Sequence, residues 1–542
     1  DQQTNYTVSL LNGGSVELRD RNGGDVTTSQ FRQIENLAGG AANDTFTFTN
    51  TGDLTGEIDG SGGLDTLIGD NDGNVFNVTP LAVGPTSSNQ GTIGDTGSVA
   101  VSGVGATFVD AAPSADTISR TVGSWLADGF SIGQTIAVSG SVSNNGLFTI
   151  GSVSALTITL TGSAALVAEG PVSITVVSNP KVAEGFRNIE NLVGGDGQDT
   201  FNVTGGDLTG SINGGAEADT VTVGAGRTVG DSIGGGTGID RFVLRDGARV
   251  SNGVFGEDGN DRFEIADGAT VNTSLNGAAG DDLFLMGTGT ILIGTIDGGG
   301  DAGDTINGGN TGTLYRINAP NAGVLQSRLS GFTGIRNLVG GSAADTFRFE
   351  GTGSLAGTIT GGTGDDSLLT TDSNDAVTLS GTDSGTALVN VVTTSFVSTE
   401  NVDLRGGNDT FTVEDGSSLT GTLSGGIGND VLVGPDAGAT FNVTADNAGE
   451  LLDATGAAKL LGTAPASPGF ASIENLTGGN GADTFTLSTG VTLDGNLDGG
   501  GGTNVLNLNS GASIGGTIQN VDVLITIDTN SGINPGNAVD NI

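Results

Sequence analysis

The residues best suited to chemistry in this sequence are aspartates that return at a fixed interval. Asp199 and Asp219 are 20 residues apart; Asp240, Asp261 and Asp282 follow at intervals of 21, and Asp304 at 22. Asp44 and Asp65, Asp345 and Asp366, and Asp409 and Asp430 repeat the 21-residue spacing, and Asp483 is followed 21 residues later by Asn504. Each closes a glycine-rich turn, as in Gly194-Gly195-Asp196-Gly197-Gln198-Asp199. Carboxylates stacked about 5 Å apart repel one another, which argues for a divalent cation between them. The competing reading is that these are only turns, glycine supplying positive φ and Asp bonding the next amide.

A period of 20–22 residues is the signature of a solenoid. After each turn comes a short alternating strand: in Thr200-Phe201-Asn202-Val203 the apolar residues point one way and the polar residues the other. One coil has an apolar face and nothing to bury it against, so stacking is required. The expected fold is all-β: a right-handed parallel β-solenoid, β-helix or β-roll-like, of about 21-residue coils, with a small inserted β-barrel or β-sandwich.

A larger unit of three coils overlies this period. The first carries a Phe-Asn-Val-Thr-like strand, often followed by Asn-Ala-Gly. The second carries Phe-x-x-Ile-Glu-Asn-Leu or a variant, and starts at Phe31, Phe186, Phe332, Phe396 and Phe470. The third carries Leu-x-Gly-x-Ile. The recurring Asn36, Asn191, Asn337, Asn401 and Asn475 read as turn asparagines bonding the backbone of their own coil, in preference to a recognition ladder. Asn-x-Thr triplets at Asn77, Asn202 and Asn442 reflect strand composition more than glycosylation.

Residues 96–182 lack the glycine-Asp turn and hold the single tryptophan, Trp125, among short alternating strands. The expected divisions are therefore solenoid coils at 1–95, the inserted domain at 96–182, the main solenoid at 183–520, and a last strand with a tail at 521–542, a possible docking segment. The chain opens on Asp1, which implies processing or a segment of something longer.

Composition narrows the function. The 542 residues include 100 Gly, no Cys and no His, and 61 acids against 17 bases, a net charge of −44. That charge disfavours nucleic acid and anionic membrane surfaces and favours divalent cations. The missing Cys and His remove thiol and imidazole chemistry and the usual zinc sites. No apolar run is long enough for a membrane-spanning helix. Arg241, Arg245, Arg249 and Arg262 are read as balancing nearby acids.

The turns at Gly194–Asp199, Gly235–Asp240 and Gly425–Asp430 resemble the Gly-Gly-x-Gly-x-Asp nonapeptide of repeat-in-toxin proteins. The resemblance implies Ca²⁺ held by carbonyls and aspartates of stacked turns. The candidate ligands are the thirteen aspartates named above, with sites between neighbouring turns along one edge. This chain departs from that family in having one such turn per coil. Ala42, Glu217 and Ala343 also replace the glycine at the fourth turn position. The Phe-x-x-Ile-Glu-Asn-Leu unit resembles β-strand repeats of very large bacterial surface proteins, and Ser124–Phe130 resembles small β modules of phage tail proteins and giant adhesins.

The expected function is an extracellular structural protein at the cell surface: a subunit of a filament, sheath or matrix, assembled head to tail with itself and stiffened by calcium. The alternatives are a segment of a giant calcium-dependent adhesin that binds cells or surface polysaccharide, and a polysaccharide-active β-helix enzyme. Near-identical acids in repeating turns lack the two distinct environments a catalytic pair needs, so no enzymatic activity is expected.

Overall fold

The computed structural model describes the whole chain except residues 1, 19–26, 80–88, 96–97, 112–113, 162–165, 291, 293, 461–468, 527–531, 534–538 and 541–542. Among the described residues every regular element is a strand. Glycine turns and alternating Thr, Val, Ile and Phe give helix nothing to build on. The chain forms two compact units, residues 1–284 with 289–295, and residues 285–288 with 296–542.

In the first unit the coils stack in register as parallel strands. Strands Asn191–Gly195, Ile212–Ala216, Ile233–Thr237, Val254–Asp258 and Ser274–Ala279 make one face. Strands Asn74–Val78, Thr200–Val203, Thr220–Val223, Arg241–Leu244 and Arg262–Ile265 make the second. Thr228–Val229, Arg249–Val250 and Thr270–Val271 make a narrow third. The register equals the sequence period, so like residues stack. Phe242, Phe263 and Phe284 lie ring on ring at 4.9 and 4.7 Å, all fully buried.

The second unit repeats the scheme. Leu314–Ala319, Thr346–Phe349, Ser367–Leu369 and Asn401–Asp403 run parallel on one face, and Thr305–Asn307, Asn337–Gly341 and Thr358–Gly362 on another. Tyr315 stacks on Phe347 at 4.7 Å, and Phe441 on Phe485 at 4.7 Å.

The structure corrects the three-coil unit. The Phe-Asn-Val-Thr strand does not open a coil of its own; it is the first strand of an antiparallel meander. Thr4–Leu10, Gly13–Leu18 and Thr27–Arg32 form one. Leu314–Ala319, Ala322–Leu325 and Leu329–Thr333 form another, and Ala376–Gly381, Ser384–Val389 and Val392–Val397 a third. The Gly of Asn-Ala-Gly, or of its variants Asn-Gly-Gly and Asp-Ser-Gly, lies opposite the Phe that opens the next motif: Gly14 faces Phe31, Gly323 faces Phe332, Gly385 faces Phe396 and Gly449 faces Phe470. A Cβ on Gly323 would meet the Phe332 ring at 2.8 Å, so the ring needs a residue without a side chain beneath it.

The inserted domain is a barrel. Ala100–Val109, Thr117–Arg120, Thr157–Leu160, Gly146–Val153, Thr135–Ser139 and Glu169–Ser178 pair antiparallel in that order, and the last pairs back to the first. Its core holds Phe108, Ile118, Phe130, Ile150 and Trp125, with Arg120 over the indole at 4.1 Å. The barrel interrupts a meander, between Gln90–Asp95 and Gly185–Arg187, which pair with each other. Lys181 anchors that junction. It is 3% exposed and its ammonium lies 2.6 Å from Asp70, 3.0 Å from Asp95 and 3.7 Å from Asp53.

The tail carries more pattern than its sequence shows. Val523–Thr526 continues the stack on Val505–Leu508, and Gly532–Ile533 and Val539–Asp540 pair parallel with Ser513–Ile514 and Ile518–Gln519. The expected docking role falls on residues that lie mostly outside the described ones.

Candidate functional site

Each periodic aspartate sits at the end of a glycine turn, one residue before a strand. All thirteen are at most 2% exposed. Their Oδ1 atoms point back along the stack. Oδ1 of Asp219, Asp240, Asp261 and Asp282 accepts the backbone N–H of Asp199, Asp219, Asp240 and Asp261, at 2.7–2.8 Å. The same bond runs from Asp44 N–H to Asp65, Asp345 N–H to Asp366, and Asp409 N–H to Asp430. Where a run opens, another residue donates: Thr4 to Asp44, Asn74 to Asp199, Thr313 to Asp345 and Ala439 to Asp483. Asp304 occupies the equivalent position in the second unit and is fully buried.

A meander interrupts the run, and the Glu of Ile-Glu-Asn-Leu closes it. The backbone N–H of Asp65, Asp366 and Asp430 donates to Glu190, Glu400 and Glu474 at 2.8, 2.7 and 2.9 Å. The asparagine that follows joins coils rather than bonding within its own. Oδ1 of Asn36, Asn191, Asn337, Asn401 and Asn475 accepts the amide of Glu57, Ser211, Thr358, Thr422 and Asn496. Nδ2 of Asn401 and Asn475 donates to the carbonyls of Asp366 and Asp430. The three glutamates were not singled out in the sequence. Their signal was the fixed offset from Phe-x-x-Ile.

The first glycine of each turn exists to house Oδ2. A Cβ on Gly214 would stand 2.2 Å from Asp219 Oδ2 and 2.4 Å from the Gly235 carbonyl oxygen. The same pair of oxygens crowds Gly194 (Asp199 Oδ2 and Gly214 O, both 2.1 Å) and Gly340 (Asp345 Oδ2 2.5 Å and Gly361 O 2.4 Å). Among the described residues, Oδ2 of Asp65, Asp199, Asp219, Asp240, Asp261, Asp345, Asp366, Asp409 and Asp430 meets no hydrogen-bond donor.

Burial pushes these carboxyls up, against the lowering effect of the Oδ1 bond. Asp219 rises to about 8, with Asp199, Asp240 and Glu217 adding like charge. Asp261 and Asp409 rise to about 7, and Asp65, Asp199, Asp240, Asp345 and Asp483 to about 6. Asp366, Asp430 and Glu400 rise for the same reason.

This donor set does not fit the calcium cage that the turn motif implied. Calcium takes about six to eight oxygens around one point. Here Oδ1 is engaged by an amide, and Oδ2 lies inside the stack over a glycine. Among the described residues no three His, Cys, Asp or Glu side chains gather to hold an ion.

A polar groove of about 310 Å³ lies in the second unit, lined in part by Asn429, Asn475, Asn496, Asp498, Thr517 and Gln519. Arg241 and Arg262, read as balancing acids, both bond Glu264. Asn202 reaches Asn77 across neighbouring strands at 3.1 Å.

No protein-family model and no curated protein matches the chain. Among solved structures it is similar to the Gp54 tailspike of Acinetobacter baumannii bacteriophage AP22 in complex with A. baumannii capsular saccharide. Identity is 11%, the match covers 92% of this chain and 69% of that one, and the TM-score is 0.13. The tailspike gp61 of Pseudomonas phage phi297 is 12% identical over 88% of this chain and 71% of its own, with a TM-score of 0.12. The expectation of no enzymatic activity is corrected here. It rested on the sameness of the turn acids, and burial with unequal like-charge neighbours gives them different environments, Asp219 rising to about 8 and Asp240 to about 6.

Proposed function

We propose that the protein is an extracellular structural component of a cell surface, in which stacked coils extend a filament, sheath or matrix and carry the barrel for contact. One observation supports this most: the recurring Asp, Glu and Asn of the repeats join each coil to the next. Residues repeated for that purpose build length and stiffness. The partner proposed is a second copy, joined head to tail by the same parallel pairing that joins coils. The net charge of −44 keeps such a chain soluble and away from nucleic acid.

A second reading is adhesive. The groove lined by Asn429, Asn475, Asn496, Asp498 and Thr517 offers amides, a carboxylate and hydroxyls, the groups that bond sugar hydroxyls. A surface polysaccharide is the partner proposed for it, as the AP22 tailspike is bound to a capsular saccharide.

Electron microscopy and sedimentation of the purified chain, with Ca²⁺ and with excess chelator, test the first reading. End-to-end oligomers support it. Monomers at every concentration overturn it, and retention of the chain in a gel containing capsular polysaccharide then selects the adhesive reading.

A further inference from the structure

The misfit with a calcium cage leaves buried carboxyls, at Asp199, Asp219, Asp240, Asp261 and Asp345 among others, with one oxygen bonded and the other crowded over a glycine beside a carbonyl. Two acceptor oxygens packed over one glycine repel unless a hydrogen lies between them. The rung at Asn504 shows which hydrogen. Asn504 Oδ1 accepts the Asp483 amide at 2.9 Å, as an aspartate Oδ1 does. Its Nδ2 takes the Oδ2 place and donates to the Asn520 carbonyl at 2.9 Å. A Cβ on Gly499 would stand 2.0 Å from that carbonyl oxygen and 2.7 Å from Nδ2. At Gly425 the equivalent distances are 2.0 Å to the Ser472 carbonyl oxygen and 2.8 Å to Asp430 Oδ2. The amide and the carboxyl occupy the same cradle against the same partner atom.

We propose that the ladder aspartates are built into the fold as neutral carboxylic acids, each the isostere of an asparagine. Oδ1 accepts the N–H of the preceding coil, and the Oδ2 hydroxyl donates to the carbonyl of the coil that follows. Every rung is then a two-way clasp with no net charge, and like charges do not accumulate along the stack. The charged groups acting on the central rungs are themselves acids. Asp199, Asp240 and Glu217 act on Asp219, Glu257 acts on Asp240, and Asp240 and Glu257 act on Asp261. Burial raises the carboxyls, so Asp219, at about 8, keeps its proton at neutral pH, Asp261, at about 7, keeps it about half the time, and the rungs raised to about 6 keep theirs in mildly acidic solution. This inference is independent of the assembly proposed above.

The test compares the whole chain with two triple variants, Asp219→Asn/Asp240→Asn/Asp261→Asn and Asp219→Ala/Asp240→Ala/Asp261→Ala. Each is melted at pH 7 in Ca²⁺ and in chelator. The expected result is that the Asn variant melts at or above the wild-type temperature, while the Ala variant melts at least about 5 °C lower or fails to fold. Wild type and the Asn variant should melt alike with Ca²⁺ and with chelator. An Asn variant destabilised as much as the Ala variant overturns the proposal. So does a calcium-dependent rise in wild-type melting temperature that the Asn variant loses, which would return the carboxylates to a metal. Infrared difference spectra, wild type minus Asn variant, give a second readout: a protonated carboxyl band at pH 7 supports the clasp, and a carboxylate band alone refutes it.

Discussion

Raising the pH should loosen the coil stack at values where most proteins are at their firmest. An aspartate whose folded pKa lies above its unfolded value stabilises the fold fully below the unfolded value, near 3.9. That stability is lost as the pH climbs through the folded value. The window here runs from about pH 4 to the folded values of about 6 at Asp199 and Asp240, 7 at Asp261 and 8 at Asp219. Asp240 alone, raised to about 6, costs the folded state about 3 kcal/mol once ionised, and the other rungs act in the same direction. The assay is urea unfolding followed by far-ultraviolet circular dichroism from pH 5 to pH 9. The midpoint should fall steadily with pH. The 61 acids also repel one another on the surface, but that part is screened by about 0.5 M salt, and the loss from buried rungs is not. A midpoint that is flat or rises between pH 5 and pH 8 in high salt would refute the reasoning, because it is what ionised, partnered carboxylates give.

Four substitutions test the packing. Gly214→Ala puts a methyl 2.2 Å from Asp219 Oδ2 and 2.4 Å from the Gly235 carbonyl, and should cost about 2 kcal/mol or more in urea unfolding. Gly226→Ala is the control: it has open space and φ of +67°, so it should cost only about 1 kcal/mol, from the left-handed backbone. Phe263→Ala removes the middle ring of a buried stack and should cost about 3–5 kcal/mol by the same assay. Lys181→Met leaves the fully buried Asp70 without its cation, and should lower stability by about 3–5 kcal/mol, read as an earlier melting transition.

The period of the aspartates was enough to read the solenoid, because stacked coils repeat in sequence at the length of one turn. Trp125 and the missing glycine-Asp turns located the inserted barrel for a related reason: it shares no period with the coils. The meanders were not legible. Phe-Asn-Val-Thr and Thr-Phe-Asn-Val alternate identically, and alternation carries no information on whether the next strand runs parallel or antiparallel. The hidden cue was the pairing of the Gly of Asn-Ala-Gly with a later Phe. The site was legible in position and not in direction. The sequence placed every aspartate at the end of its turn, but whether the carboxyl turns outward to an ion or inward beneath a glycine depends on the backbone path. The turn motif is compatible with both. Asn504 in an aspartate's place, and Asn74 in another, were the clues that the site accepts an amide.

The most direct measurement is the protonation state of the central rungs, read from ¹³C carboxyl shifts of aspartate-labelled protein, with Asp219→Asn and Asp261→Asn used for assignment. The Asp219 and Asp261 carboxyls should titrate near pH 8 and pH 7, with Asp219 largely protonated at pH 7. Titration of both below about pH 4, in the ordinary aspartate range, would contradict it.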